Sequence, residues 1–320
     1  MDGALVILLA LAADAALGDP PAWPHLVRLM GLAIQRLEAW LRARYATPTE
    51  QRLAGVVLTL LVVGGFGWGA HLLLALAGWL WPPLGLALAA LLTFQCLALG
   101  QLWREAQAVN RPLMAGDLAE ARQRLAMIVG RDTAALDEAG VRRALIETVA
   151  ENFNDGVVAP LFYLGLGGPV LAVAYKAVNT LDSMVGYNNQ RYADLGLCSA
   201  RLDDLAGFVP ARLSAVLLAA ACRLAGLEPA AAWRGAQRDH AAHKSPNSGW
   251  PEAAAAAALG VRLGGPSYYG GVLVEKPWLN PGGRDPLAAD VDAMLRLYAA
   301  AAVLAGGACL LLVFLFRGWF

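Results

Sequence analysis

Charge is scarce in this sequence: Asp, Glu, Lys and Arg make up 16% of its 320 residues, against about 25% in an ordinary soluble domain. With 58% hydrophobic residues and a mean hydropathy of +0.50, the shortage argues against a soluble globule and for an integral membrane protein. An excess of one sign is missing too. Lys plus Arg (25) equals Asp plus Glu (25), so no net positive field exists to gather nucleic acid, and that partner class is set aside. Cysteines are few, and Cys96, Cys198, Cys222 and Cys309 form no C-x-x-C pair. They read as small apolar residues, not as a disulfide or zinc framework. The N-terminus carries Asp2 where a secretory signal would carry a basic residue, so its apolar run reads as a retained membrane segment. The phosphate-binding loop G-x-x-x-x-G-K-[ST], the Rossmann glycine fingerprint and the G-x-S-x-G elbow are all absent. Any nucleotide must therefore be held by a non-standard site. His240 and His243, without a cysteine partner or an H-E-x-x-H pattern, are a weak zinc signal.

What is present is a series of long apolar runs, at about residues 3–18, 53–80, 84–102, 157–174, 211–226 and 298–316. The sequence therefore predicts a single, all-α, polytopic membrane domain over residues 1–320, with four to six membrane segments, since a hydrocarbon core of about 30 Å needs about 20 residues of helix. Five arginines lie in 19–52 and seven in 103–156, while the turn "AGWLWPP" has none. The positive-inside rule places both arginine-rich segments in the cytoplasm. Gly165, Gly167, Gly168 and Pro169 predict a broken or re-entrant helix at 157–174, which keeps the polar segments 175–210 and 227–297 on the cytoplasmic side as well. The glycines of "GGFGWG", Gly64 to Gly69, read as a site of close helix packing. A helix is expected from Ser248 to a stop at Gly264 and Gly265. One small β-hairpin is expected in "SYYGGVLVEKPWL", turned by Gly270 and Gly271.

The polar residues concentrate where these runs begin or end. On a helical wheel "YKAVNTLDSMVG" puts Ala177, Val178, Leu181, Met184 and Val185 on one face, and Tyr175, Lys176, Asn179, Thr180, Asp182, Ser183 and Gly186 on the other. That face is poor in the long charged side chains of a solvated helix and suits close contact with a ligand. In "VRRALIETVAENFNDGVVAP", Glu147, Glu151 and Asp155 recur at i, i+4 and i+8. Stacked carboxylates repel unless a cation lies among them, and such hard oxygens suit Mg²⁺; solvated surface carboxylates are the alternative. Asp14 lies inside an apolar run, where an ionisable group is costly and a functional role is the default. Asp203 and Asp204, adjacent in sequence, face different directions on a helix. Asp132 or Thr133, after Gly130 and Arg131, fits either a helix N-cap or a site.

Taken together, "GRDT", "ETVAENFNDGVVAPLFY", "AYKAVNTLDSMVGYNNQRY", "SARLDDLAGFVPARLSA", "HKSPNSGWPEAAAAAALGVRLGG" and "YYGG", preceded by "GDPPAWPHLVRLMG", resemble the adenosylcobinamide-phosphate synthase family of cobalamin biosynthesis. The resemblance runs from about Asp14 to Pro281. It departs at "PHLVR", where the family pattern has proline after His25. It implies a multi-pass enzyme of the cell inner membrane with its active site facing the cytosol. The activity implied joins aminopropanol, or its O-phosphate, to the free propionate of adenosylcobyric acid, with ATP and Mg²⁺, beside other late-pathway membrane enzymes. The alternative is a non-enzymatic transporter or regulatory protein for a corrinoid.

Motif positions then become candidates. Amide formation needs an activated carboxylate, phosphate neutralisation and a proton acceptor. Glu147, Glu151 and Asp155 are assigned to Mg²⁺, with Asp182 helping to hold the metal-nucleotide. Lys176, Arg191 and Arg212 are assigned to phosphates, Asn179 and Ser183 to orienting the carboxylate, and Asp203 or Asp204 to the amine. Asp14, Arg28, Arg131, Asp132, His243, Lys244, Asn247 and Tyr269 complete the substrate contacts, Tyr268, Tyr269 and Trp278 are expected over the corrin face, and Asp19, His25, Asn152, Ser245 and Glu252 are further motif positions without an assigned role.

Overall fold

The computed structural model describes residues 3–20, 23–187 and 189–315. Asp2, Pro21, Asn188 and Phe316, which enter the readings above, lie outside them. The chain runs through α1 (Gly3–Leu17), α2 (Leu26–Arg42), α3 (Pro48–Leu80), α4 (Pro82–Phe94), α5 (Leu99–Met114), α6 (Leu118–Ala126) and α7 (Glu138–Phe153). A π-helical turn, Asn154–Val158, leads into α8 (Ala159–Val185), α9 (Leu197–Cys222), α10 (Pro229–Asp239) and α11 (Gly249–Leu259). Four short strands follow, β1 (Leu263–Gly264), β2 (Ser267–Tyr269), β3 (Val272–Val274) and β4 (Trp278–Leu279), before the terminal helix α12 (Ala288–Leu315). Five stretches are long and apolar enough to cross a membrane: Pro48–Leu80, Pro82–Met114, Glu138–Val185, Leu197–Cys222 and Ala288–Leu315. The protein is thus a polytopic helical membrane protein with only two-stranded sheets. The N-terminal run, counted among the candidate spans, forms a helix of 15 residues, which at 1.5 Å per residue reaches about 22 Å and falls short of the hydrocarbon core.

The chain packs as two compact units. The first comprises Met1–Ala98, Ala159–Gly207 and Gly306–Phe320; the second comprises Leu99–Val158 and Phe208–Ala305. In the first, α3 opens with a capping box, Thr47 Oγ1 accepting the Glu50 N–H (3.4 Å) and the Glu50 carboxylate accepting the Thr47 N–H (3.0 Å), with Pro48 in the first turn. It runs 33 residues to a sharp corner at Trp81, after which Pro82 starts α4. Leu60, Trp68 and Trp79 on α3 are 65% or more exposed, as side chains facing hydrocarbon would be. The glycine-rich stretch does not pack as expected: Gly67 meets Ala174, but Gly64, Gly65 and Gly69 face open space. The close approach is at Gly55 instead, where a Cβ would overlap the Leu195 carbonyl oxygen.

The expected break is present inside α8. Gly167 (φ −150°, ψ 27°) and Gly168 (φ 68°, ψ −167°) leave the helical region just before Pro169, and the Gly168 combination is open essentially to glycine alone. Beyond the break, the wheel of the polar face needs correcting. Tyr175 and Thr180 are buried. Tyr175 stacks on Tyr163 (ring centroids 5.0 Å apart) and Thr180 donates to the Lys176 carbonyl (2.7 Å), so both serve packing and the backbone.

In the second unit, α7 is capped not by Asp132 or Thr133 but by Asp137, whose carboxylate accepts the Gly140 N–H (2.7 Å). The predicted hairpin forms: β2 pairs antiparallel with β3, and Tyr269 opposes Val272 across Gly270 and Gly271, both at positive φ, the pattern of a type I′ turn. A second pair, β1 with β4, lies at its base. The helix α11 stops at left-handed Gly260, short of the expected Gly264, because the chain from Val261 to Gly264 turns into sheet pairing.

Gly168→Ala is expected to destabilise the protein by about 1–3 kcal/mol, the cost of forcing a side chain into that backbone region. Thermal unfolding in detergent checks this, and an unchanged midpoint would mean the break is not held by its glycine.

Candidate active site

Two neighbouring glutamates and a third from a distant part of the sequence meet in the second unit. Glu147 and Glu151 lie one turn apart on α7, and Glu252 enters from the first turn of α11. Around them stand Arg131 from the loop before α7, His243 and Lys244 from the turn after α10, Tyr269 from β2 and Lys276 from the link between β3 and β4, lining a cavity of about 250 Å³. The local sequence explains the turn. In "HKSPNSG" the Ser245 hydroxyl accepts the N–H groups of Asn247 and Ser248 (both 3.2 Å), while His243 Nδ1 accepts the Ser245 N–H (3.0 Å). With Nδ1 an acceptor, a neutral His243 carries its proton on Nε2, which faces Glu252 Oε1 at 3.6 Å.

Glu147 is buried, and each oxygen has a partner: Oε2 accepts from Arg131 and Oε1 accepts the Gly264 N–H (2.6 Å). Burial works against the Arg131 charge, and Glu147, Tyr269 and Glu252 together outweigh it, so the guanidinium is held above its ordinary value. Glu151 accepts from the Ser248 hydroxyl (3.1 Å). Glu252 is 4% exposed, and burial, joined by the charges of Glu151 and Glu147, pushes its carboxyl well above the usual carboxylate range against the pull of Arg131 and Lys276. Burial also pushes His243 down, with Glu151 opposing. The two shifts favour a neutral acid beside a neutral imidazole. Lys276 donates to the Tyr269 hydroxyl.

Of the residues singled out from sequence, Arg131, Glu147, Glu151, His243, Lys244 and Tyr269 line this cavity. Asp155 does not continue the carboxylate stack. The π-helical turn begins at Asn154, shifts the register by one residue, and leaves Asp155 paired with Asn154 Nδ2 (2.7 Å). Among the described residues no group of three or more His, Cys, Asp or Glu is assembled to hold a metal by itself. Asp132 anchors the hairpin, its carboxylate accepting the N–H groups of Gly270 (3.1 Å) and Gly271 (2.7 Å). Asn247 is buried beneath the Ser245 turn. Arg212 lies over the Phe208 ring (3.4 Å) and donates to the Phe208 carbonyl (2.6 Å). Trp278 is held between Arg143 (4.7 Å) and Arg262 (4.6 Å), both paired with Asp285, while Tyr268 is exposed.

The remaining candidates belong to the first unit: Asp14, Arg28, Lys176, Asn179, Asp182, Ser183, Arg191, Asp203 and Asp204. Asp14 is fully buried on α1, and Lys176, Asn179 and Asp182 are half-buried on α8. Ser183 is exposed and donates to its own helix at Asn179 O (2.8 Å). Arg28 donates to Trp23 O (3.3 Å), Arg191 pairs with Glu38 (3.0 Å), and Asp204 lies 3.8 Å from Arg201. Two cavity residues received no assigned role from sequence. Glu252 is a motif position of the resemblance that also reads as a first-turn helix signal, and Lys276 is a lone lysine that nothing local marks as part of a site.

A family model described as CobD/Cbib protein matches residues 7–298. The chain is 49% identical over 295 residues to the cobalamin biosynthesis protein CobD of Klebsiella pneumoniae subsp. pneumoniae, covering 91% of this chain and 92% of that protein. It is 51% identical over 289 residues to the protein of the same name from Pelobacter propionicus, covering 88% and 85%. It is 46% identical over 306 residues to the cobalamin biosynthesis protein CbiB of Salmonella arizonae, covering 93% of each. No solved structure matches the chain.

Arg131→Ala should destabilise the second unit by about 3–5 kcal/mol, because it strands the buried Glu147 charge; denaturant titration in detergent measures it. The folded state binds the Glu252 proton more tightly than the unfolded chain, where the carboxyl titrates near pH ~4.3. The Glu252 contribution to stability therefore falls as pH rises from there. The melting temperature of Glu252→Gln relative to wild type should accordingly increase between about pH 5 and pH 8, and a difference independent of pH would refute the raised carboxyl.

Proposed function

Because the chain belongs to the CobD/Cbib protein family, we propose that it acts in cobalamin biosynthesis as an amide-forming ligase of the inner membrane. It joins aminopropanol O-phosphate to the free propionate of adenosylcobyric acid, with its catalytic cavity open to the cytosol. The observation that carries this reading is the cavity in which Glu147, Glu151 and Glu252 meet Arg131, His243, Lys244 and Lys276. A carboxylate and an amine do not condense at neutral pH without activation. Anionic phosphate and a cationic amine must be brought to one place, and a cavity that alternates carboxylates with arginine and lysine suits both.

The residues fit Mg²⁺ bound mainly through substrate. One or two carboxylates plus phosphate oxygens suffice for that ion, and Glu151 and Glu147 add a repulsion to the burial that raises the Glu252 carboxyl, a repulsion a cation would relieve. Glu151 would hold it, since both oxygens of Glu147 are already engaged by Arg131 and the Gly264 N–H. ATP with Mg²⁺, when bound, supplies the phosphoryl group that activates the propionate. Arg131, Lys244 and Lys276 hold phosphate oxygens and stabilise the charge that develops on them. Arg131 is fixed for that task by Glu147. Glu252, a neutral acid until a cation relieves the repulsion from Glu151 and Glu147, would then ionise and accept a proton from the attacking amine, with His243 Nε2 facing it at 3.6 Å. A cavity of about 250 Å³ lies below the ~300–1,000 Å³ of drug-sized ligand sites, so it takes the reacting ends of the substrates while the corrin ring stays outside. Lys176, Asn179 and Asp182 are proposed as further substrate contacts on α8.

Purified protein given ATP, Mg²⁺, adenosylcobyric acid and aminopropanol phosphate should yield the amide together with cleaved ATP. Glu252→Gln and Lys276→Ala, folded in membranes, should each lower turnover by about 10²-fold or more. Full activity in both variants would remove the cavity from the reaction, and corrinoid uptake into vesicles without ATP cleavage would replace the ligase by a transporter.

A further inference from the structure

The helix α2 is not among the stretches able to cross a membrane, yet its outward face is far from a solvated one. Its inner face buries Leu26, Met30, Ile34 and Leu41, and the helix packs on α3 and α8. Outward, Leu29 (54% exposed), Leu32 (50%) and Trp40 (48%) alternate with Arg28, Arg36 and, just past the helix end, Arg44. The one acid of α2, Glu38, points inward, 6% exposed, and accepts from Arg42 (2.9 Å) and Arg191 (3.0 Å). The outward face is therefore basic and apolar, with no carboxylate of its own helix. Arg36 has no hydrogen bond or ion pair among the described residues. The Arg44 guanidinium lies 4.2 Å over the Trp40 ring.

We propose that this face of α2 binds the headgroups of anionic phospholipids. Exposed leucine and tryptophan are costly against water but settle into the boundary between headgroups and acyl chains, where guanidinium groups meet phosphate in the bidentate geometry they favour. The location supports it. Only residues 43–47 separate α2 from α3, the stretch Pro48–Leu80 that is able to cross the membrane, so α2 lies close to the point of entry into the bilayer. Charge complementarity selects anionic lipid over zwitterionic lipid.

Native mass spectrometry of the full chain in detergent, with phosphatidylglycerol and phosphatidylethanolamine of matched acyl chains, tests this. Phosphatidylglycerol should be retained preferentially. The double variant Arg36→Gln/Arg44→Gln should lose that retention by about fivefold for each arginine removed, equivalent to about 1 kcal/mol each, with phosphatidylethanolamine unchanged. Arg36→Lys/Arg44→Lys should keep most of it, which separates lost charge from lost fold. Equal retention of the two lipids in wild type would overturn the proposal, as would an equal loss from Arg111→Gln/Arg124→Gln. Displacement of the lipid by excess inorganic phosphate would reassign the face to a soluble anion and overturn it as well.

Discussion

The second unit is organised around one buried ion pair, Arg131 with Glu147. Glu147 sits in the middle of α7, almost out of contact with water, where an unpaired carboxylate would be costly. The pair ties the loop before α7 to the helix, and the other oxygen of the same carboxylate ties β1 to it through the Gly264 N–H. Loop, helix and sheet thereby become three walls of one cavity. Glu151, one turn further, looks into the space so defined, and Glu252 closes it from α11.

The irregularities of the backbone fall where the polar residues are. A π-helical turn separates α7 from α8 and moves Asp155 off the line of Glu147 and Glu151; such turns recur at functional sites in proteins generally. Thirteen residues after Asp155, Gly168 breaks α8 in a conformation reserved for glycine. Both keep a continuous membrane-grade stretch from behaving as a plain rod, and both lie between the carboxylate helix and the Lys176, Asn179 and Asp182 segment. The hairpin is positioned in a similar economy of contacts: Asp132, next to Arg131, accepts both N–H groups of its turn, so the residue beside the ion pair also sets where Tyr269 and Lys276 stand.

Much of this was legible in the sequence. The charge shortage and apolar runs identify a helical membrane protein, three closely spaced glycines and a proline mark the break in α8, and Gly270-Gly271 between short apolar runs marks the hairpin. Glu147 and Glu151 stand out by their i, i+4 spacing. The errors have a common cause: the wheel is blind to what lies opposite. Tyr175 and Thr180 read as a ligand-facing surface but are buried against Tyr163 and the helix backbone. The spacing of Asp155 assumed an α-helical register that the π-helical turn removes. The glycines at 64–69 promised close packing that Gly55 provides instead, because closeness depends on the neighbour's backbone and not on the glycine.

What the sequence by itself determined is the solvent of the fold, the approximate placement of its apolar helices, and the residue types that reaction chemistry requires, because hydropathy, helical period and turn chemistry are local properties. Only the tertiary structure decided which of those residues share a site. Glu252 and Lys276 join Glu147 across separations of more than a hundred residues, and the upward push on the Glu252 carboxyl arises from two other glutamates and from burial. Mutual repulsion, desolvation and pairing act through space over a few ångströms, and no spacing along the chain encodes that distance.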